Sequence, residues 1–573
     1  MRNKDKIVIK FERPESIRDV LKEASELHGD KIVYKYYVSQ NTVAEMSYNR
    51  MYNVYKALGS GLLNLGLSSS KIAVLADNRP EWIISYCAII GSGNVVIPMD
   101  KELLPSQVEA FLAYAEAEAI VVSAKYLPSV IRMDLPKLRY IIDLDNAAEQ
   151  NGFEDVRCRK YSDLTAAADN PEDNHFKHLH YDRSKMSALI FTSGTTGTSK
   201  GVMLSEENIL EGIYASSNMI CFDSKNVLLS VLPMHHTYET TCGQLTAIRL
   251  GLTICINNSL KYFMKNVKLF RPTAMVLVPL FAVTMRKKIL EELKKRKLDK
   301  IVKAGIRASH LVSKTGIRTN KLLFAFLRNS LGGRLRNIVV GGAAIDAETV
   351  EWYQSIGITV SQGYGITECS PLVAVNPLVI LDPASVGVQT PDSKVKIVDT
   401  DEEGNEIDLP YGEVGEICVK GRQVMIGYYR DEAATINAFT GDGFFRTGDY
   451  GYIDKRGYIF ITGRKKNIIV LQNGKNVYPE EIEEYLDKLD IIKECVVIGR
   501  QKDDGEVLLT ALIYPDYDQF KGCSESEIID RVRAEVAKIN KSLPIFKQVR
   551  NIELKKSEFE KTTTQKIIRY KLS

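Results

Sequence analysis

Short, continuous apolar runs alternate with stretches of helical spacing along the first third of the chain. "KIAVLA" (71–76), "NVVIPM" (94–99), "EAIVVS" (118–123) and "SALIFT" (187–192) have the length and bounding residues of buried strands. Alternating with them, "NRMYNVYKALGSGLLNLG" (49–66), ahead of the first, and "PSQVEAFLAYAEA" (105–117), between the second and third, repeat apolar residues at helical intervals. Strands separated by helices predict βαβ units and a largely parallel sheet. From about residue 380 the pattern shortens: "KVKIVD", "GEICVKG", "GYIDKRGYIFITGR" and "KNIIVLQNG" predict short strands joined by Gly- and Asp-containing turns. The C-terminal stretch is mixed, with "YPEEIEEYLDKL" and "SESEIIDRVRAEVAKINKSL" as helices and "ECVVIGR" and "VLLTALIYP" as strands. The expected class is α/β: a large N-terminal domain of βαβ-type sheets with a small β-rich subdomain, then a small α+β domain.

At 573 residues the chain exceeds a single compact core, and its length suggests roughly three to four folding units. Hydrophobic content of 45% and charged content of 26% are those of a soluble globular protein. The nine cysteines include no CxxC spacing, which predicts isolated thiols in a reduced, cytoplasmic compartment. The opening "MRNKDKIVIKFERPESI" lacks the apolar core of a signal peptide, and no run reaches the length of a membrane span. The net charge of +4 is unevenly spread: residues 286–336 hold sixteen Lys/Arg and three Asp/Glu, leaving the remainder acidic. Ile289, Leu293, Leu298 and Ile301, then Leu322, Leu323, Phe326 and Leu327, recur there at helical spacing. A charge run of this kind is ordinarily a solvated helical face; contact with anionic lipid headgroups or ligand phosphates is the alternative. No nucleic-acid partner is expected.

The stretch from Thr192 to Gly201 departs from this pattern. It packs six hydroxyl residues and three glycines around one lysine, Lys200. A predicted buried strand enters it directly. Gly194, Gly197 and Gly201 allow backbone N–H groups to approach a bulky anion, with hydroxyls and Lys200 as further donors. It is not the Walker pattern, since Ser199 precedes Lys200 and Gly201 follows it.

Four further motifs follow in order: "SQGYGITECSP" (361–371), "FFRTGDYGYID", "GYIDKRGYIFITGRKKNIIVLQNGKNVYPEEIE" and "KTTTQKIIR". Together with the hydroxyl loop they resemble the adenylate-forming (AMP-binding) superfamily of acyl-CoA synthetases, peptide-synthetase adenylation domains and luciferases. The likeness runs from Asn78 to Arg569, and the basic insertion after "VLVPLF" and the phrase "QNGKNVYPEEIE" look most like bacterial long-chain fatty acyl-CoA synthetases. The implied reaction joins a carboxylate to the α-phosphorus of ATP with loss of pyrophosphate; the thiol of CoA then displaces AMP. Neither step needs a protein nucleophile, so the protein's task is positioning and charge neutralisation.

The resemblance implies roles for particular residues. Thr192, Ser193, Gly194, Thr195, Thr196, Gly197 and Lys200 would cradle the ATP phosphates. Gly342, Ala343 and Ala344 would line the adenine. Gln362, Gly363, Tyr364 and Gly365 belong to the nucleotide set, with Tyr364 stacked on the base. Thr367 would touch the α-phosphate, Glu368 and Thr192 would hold Mg²⁺, and Asp449 with Arg464 would bind the ribose. Lys566 would bring a compact cation to the reacting carboxylate and α-phosphate. Its surroundings depart from the family's P-K-T-x-T-G-K, with Glu560 for Pro and Gln565 for Gly. His236 takes the place beside the acyl carboxylate, and Val276 to Phe281 form one apolar wall for the acyl chain. Lys466 is the implied hinge, dividing an N-terminal domain (1–463) from a mobile C-terminal domain (467–573) across residues 464–466. Gly474 would open the passage for the pantetheine arm of CoA. His235 and His236, adjacent in sequence, are expected to point apart and to lack a third metal ligand.

The resemblance leaves two alternatives open. An enzyme sharing the first half-reaction can deliver its acyl or aminoacyl group to a carrier protein in trans. A retired enzyme can serve as a nucleotide-dependent or membrane-surface binding protein, against which intact Glu368, Asp449, Arg464 and Lys566 speak.

Overall fold

The apolar runs of the first third become neighbouring strands of one sheet. Lys71–Leu75 pairs in parallel with both Val95–Pro98 and Ala119–Val122, and Val95–Pro98 meets Met186–Thr192 (β1) in parallel. β1 then turns antiparallel into Lys200–Ser205 (β2), with Thr192 opposite Lys200. The helices are those the spacing predicts, Tyr48–Asn64 before the first of these strands and Pro105–Ala115 between Val95–Pro98 and Ala119–Val122 among them. Helix Pro80–Gly91 is apolar all round and buries every residue except Glu81, as an interior helix must.

The computed structural model describes residues 9–572 except 40, 170–175, 177–178, 193–199, 221, 296, 298–324, 344, 378–381, 402, 472–474, 502–506 and 562–566, and it describes 325, 326 and 570 without their side chains. A second sheet places Val227–Ser230 (β3), Ala274–Leu277 (β4), Asn337–Val340 (β5) and Thr359–Gly365 (β6) side by side and parallel. Beyond β6 the pairing turns antiparallel at Leu372–Val375 (β7), somewhat ahead of the change in sequence pattern. Helix Glu206–Met219 (α1) is capped at Ser205, whose hydroxyl accepts from the Asn208 N–H. Helix Pro279–Lys295 (α2) buries Ala282, Met285, Ile289 and Leu293 against Leu229, Met275, Leu277, Ile338 and Val340 of the sheet. Leu327, Leu331 and Leu335 join the same core.

Two compact units result. One comprises Met1–Gly194, Ser199–Lys394 and Lys420–Asn437; Val395–Val419 and Ala438–Ser573 belong to the other. In the second unit Phe445–Ile453 (β8) and Tyr458–Arg464 (β9) form the antiparallel hairpin expected of "GYIDKRGYIFITGR". Ile492–Gln501 and Val507–Pro515 pair antiparallel, and Asn551–Leu554 adds a parallel strand. Helices Pro479–Leu486 (α3) and Glu525–Asn540 cover that sheet through Ile482, Leu486, Ile528 and Val532. Among the described residues no helix is long and apolar enough to cross a membrane.

Candidate active site

Because β3 to β6 run parallel, the loops that follow them leave the sheet along one edge, where open α/β sheets take their ligands. His236 follows β3; Val278 and Phe281 follow β4; Gly342 and Ala343 follow β5; Thr367 and Glu368 follow β6. Gln362, Gly363, Tyr364 and Gly365 lie within β6 itself, with Tyr364 only 7% exposed. Gly342 has a φ of +84°, a backbone angle a side chain would strain, and both it and Ala343 are exposed. Ala344 lies outside the described residues.

Thr367 and Glu368 sit on a single helical turn, Thr367–Cys369. That turn is held from two sides. The Glu368 carbonyl accepts from the Met425 N–H at 2.8 Å. On the other side α1 comes so close that a Cβ on Gly212 would stand 2.2 Å from the Ser370 carbonyl oxygen. The Glu368 carboxylate accepts from the Tyr428 hydroxyl at 3.0 Å. Tyr428 lies on the short strand Gly427–Tyr428, paired with β2 opposite Val202. Burial, and then the charge of Glu368, push its hydroxyl well above the usual phenol pKa, so it remains a donor. The Lys200 ammonium lies 4.4 Å from the centre of the same ring. Thr192, the cross-strand partner of Lys200, donates weakly to its carbonyl at 3.5 Å. Thr192, Lys200, Tyr428 and Glu368 thus form one connected set. Ser193, Gly194, Thr195, Thr196 and Gly197 lie outside the described residues.

Gly201 sits in β2, where a Cβ would meet Leu189 Cδ1 at 3.0 Å and Tyr429 Cβ at 3.2 Å, so packing at this point favours a small residue. Tyr428 was not singled out by sequence; nothing in "MIGYYRDE" marks which tyrosine faces a carboxylate sixty residues earlier.

On the acyl side the two histidines also depart from expectation. Their rings do not point apart but pack at 4.0 Å between centres, tilted by 46°. The His235 side chain is only 10% exposed, and this desolvation lowers its pKa to about 3 and keeps it neutral, with Asp100 3.5 Å from its Nε2. Beyond them Tyr238–Leu245 is a π-helix, a rare geometry that recurs at functional sites. Within it Glu239 is completely buried; Oε1 accepts from Ser230 Oγ at 2.6 Å and Gln244 Nε2 at 2.7 Å. Tyr34 donates to Gln244 Oε1 at 3.0 Å, extending the network. Burial raises the Glu239 pKa to about 7, opposed by the two donors. Of the predicted acyl wall, Val276, Leu277 and Val278 are buried, Phe281 half-buried and Leu280 exposed. Among the described residues no three His, Cys, Asp or Glu side chains are grouped to hold a metal by themselves.

In the second unit Asp449 and Arg464 face each other across the β8–β9 hairpin, Oδ1 to Nε at 2.9 Å. Asp449 is in a strand rather than a turn, and is 4% exposed. Lys466 lies on the helical turn just after β9. Burial, then Arg464 and Arg569, lower its pKa to about 8. Gly474 and Lys566 lie outside the described residues. The stems flanking Lys566 are described: Lys561 bridges to Ile567, and the Ile568 N–H donates to the Glu560 carbonyl at 2.9 Å. Lys561 is ion-paired with Glu494 and Arg569 with Glu483, which anchors both stems to β-strand and helix residues of this unit.

A Mg²⁺ ion is compatible with the donors at hand. The Glu368 carboxylate and the Thr192 hydroxyl are hard oxygen ligands, both only partly buried, and this ion usually takes one or two such groups together with phosphate oxygens.

The comparisons with known proteins agree with this architecture. The AMP-binding enzyme family model matches residues 21–429, and the AMP-binding enzyme C-terminal domain matches 466–573. The chain belongs to the AMP-binding enzymes, as the ordered motifs led us to expect. The long-chain-fatty-acid–CoA ligase FadD15 of Mycobacterium bovis is 28% identical over 505 residues, covering 82% of this chain and 77% of that protein. The peroxisomal long chain acyl-CoA synthetase 6 of Arabidopsis thaliana is 29% identical over 499 residues, covering 84% and 70%. Among solved structures, the anthranilate CoA ligase AuaEII in complex with anthranoyl-AMP superposes with a TM-score of 0.77 at 20% identity, over 98% of this chain and 97% of that one. That likeness bears out the expected α/β fold class.

Proposed function

We propose that the chain is an AMP-forming long-chain fatty acid–CoA ligase. It activates a fatty acid with ATP to the acyl adenylate and passes the acyl group to CoA. The observation that carries the reading is the connected set Thr192, Lys200, Tyr428 and Glu368 at a ligand-binding edge of an AMP-binding enzyme. The names of the relatives supply the acyl and thiol substrates.

In this reading Gly342 and Ala343 accept the adenine by leaving room for it, and Tyr364 supplies a stacking face. Lys200 and the residues of the 193–199 stretch bind phosphate oxygens, and Thr367 donates to the α-phosphate. Thr192 and Glu368 would hold Mg²⁺, whose charge, when bound, offsets that of the triphosphate as the fatty-acid carboxylate approaches. Asp449 accepts from the ribose hydroxyls, oriented by Arg464. His236 holds the acyl carboxylate. Lys566 offsets the charge that builds as carboxylate and α-phosphate meet. Lys466, within residues 464–466, is the hinge between domains 1–463 and 467–573, and Gly474 admits the pantetheine arm. The proposed location is cytoplasmic, with peripheral contact at an anionic membrane surface through residues 286–336.

Mass spectrometry of the products from Mg-ATP, CoA and acids from acetate to oleate tests the reading. Long-chain acyl-CoA together with AMP is the expected outcome. Acyl-AMP that CoA leaves untouched would instead direct the second half-reaction to a carrier protein.

A further inference from the structure

Tyr428 touches the two oppositely charged groups that the proposed reaction needs kept apart. Its hydroxyl donates to Glu368 Oε1 at 3.0 Å, while its ring face takes the Lys200 ammonium at 4.4 Å. Among the described residues no ion pair joins Lys200 to Glu368, although both contact the same side chain. A carboxylate neutralised by a lysine is a poor cation ligand, and a lysine bound to a carboxylate is a poor phosphate ligand. We propose that Tyr428 is a positioning residue for metal-nucleotide binding: it orients the Glu368 carboxylate and holds Lys200 apart from it. This inference rests on the reading of Glu368 and Lys200 given above.

Three elements fix the tyrosine in that place. The strand Gly427–Tyr428 pairs with β2, which carries Lys200. The Met425 N–H, three residues before Tyr428, donates to the Glu368 carbonyl and so ties the same segment to the Thr367–Cys369 turn. The Tyr428 N–H donates to Thr435 Oγ1 at 2.8 Å, securing the backbone from the far side. A hydroxyl donor engages one carboxylate oxygen; a cation needs only the other. Groups that orient a metal-binding carboxylate from behind typically change metal affinity by about ten- to a hundredfold when removed.

The test is calorimetric binding of the unreactive α,β-methylene analogue of ATP, with Mg²⁺ and with EDTA, to the full chain. Tyr428→Phe keeps the ring and the cation–π contact and removes only the donor. We expect it to weaken binding of the magnesium complex by about tenfold or more while leaving binding of the metal-free analogue unchanged. Introduced into Glu368→Gln, the same substitution should have no further effect, because the group it orients is already gone. A loss that is equal with and without Mg²⁺, or none, overturns the inference, as does an undiminished effect in the Glu368→Gln background. Failure of the underlying reading is distinguishable: the wild-type chain would then bind no analogue, or bind it indifferently to Mg²⁺, and both claims would fall together.

Discussion

Glu239 shows how much a single buried carboxyl can reveal. Its folded-state pKa is raised from the ordinary 4.5 to about 7, chiefly by burial. Between those values the folded chain holds a proton that the unfolded chain has lost, so this group makes stability fall as pH rises, levelling off above about 7. Glu239→Gln keeps an oxygen to accept from Ser230 and Gln244 but does not titrate. Its melting temperature relative to wild type is therefore expected to rise between about pH 5 and pH 8, by a few degrees at most in a chain of this size. A difference independent of pH would contradict the assignment. Residues of this kind were not legible beforehand. Asp449, Glu368 and Lys200 stand in recognisable motifs, whereas Glu239 acquires its character from burial beside Ser230 and Gln244, and Tyr428 from a carboxylate sixty residues away. The packing of Gly201 against Leu189 and Tyr429 was hidden for the same reason, since Tyr429 is far along the chain.

At the scale of elements, periodicity carried well wherever one face had to be buried. The four early strands, helix Tyr48–Asn64 and strand Val507–Pro515 fall where the apolar pattern puts them. The π-helix Tyr238–Leu245 was not anticipated, because nothing in the apolar spacing of "YETTCGQL" marks an extra residue per turn. Helix α2 is more instructive. Ile289 and Leu293, read as an amphipathic stripe, are 4% and 1% exposed within the core of the larger sheet, so they offer nothing to a bilayer. Leu298, Ile301, Leu322 and Leu323 lie outside the described residues. The basic groups that α2 exposes are Lys287, Lys288, Lys294 and Lys295, so an electrostatic contact with a membrane would be made through them. Neutralising Lys294, Lys295, Arg296 and Lys297 should weaken co-sedimentation with phosphatidylserine vesicles at low salt, and the difference should shrink as ionic strength rises. Wild-type chain that ignores such vesicles at low salt would rule this contact out.

For the whole molecule, the order of the motifs along the chain identified the family, because five weak signals in one sequence are jointly specific. The division into compact units was less legible. Strands from Val395 onward read as a β-rich appendage of the large domain, yet 395–419 and 438–464 group with the C-terminal residues while 420–437, with the strand Gly427–Tyr428, stays in the first unit. Contacts, not composition, decide such a boundary. The proposed reaction requires that the chain make an acyl adenylate in a step that depends on Lys566, separately from thioester formation. Fatty-acid-dependent exchange of labelled pyrophosphate into ATP, in the absence of CoA, measures that first step directly. Wild type should exchange label with long-chain acids and Mg²⁺, whereas Lys566→Ala should not, yet the variant should still convert supplied acyl-AMP and CoA to thioester. No exchange by the wild type with any acid, or equal loss of both half-reactions in the variant, would contradict the account.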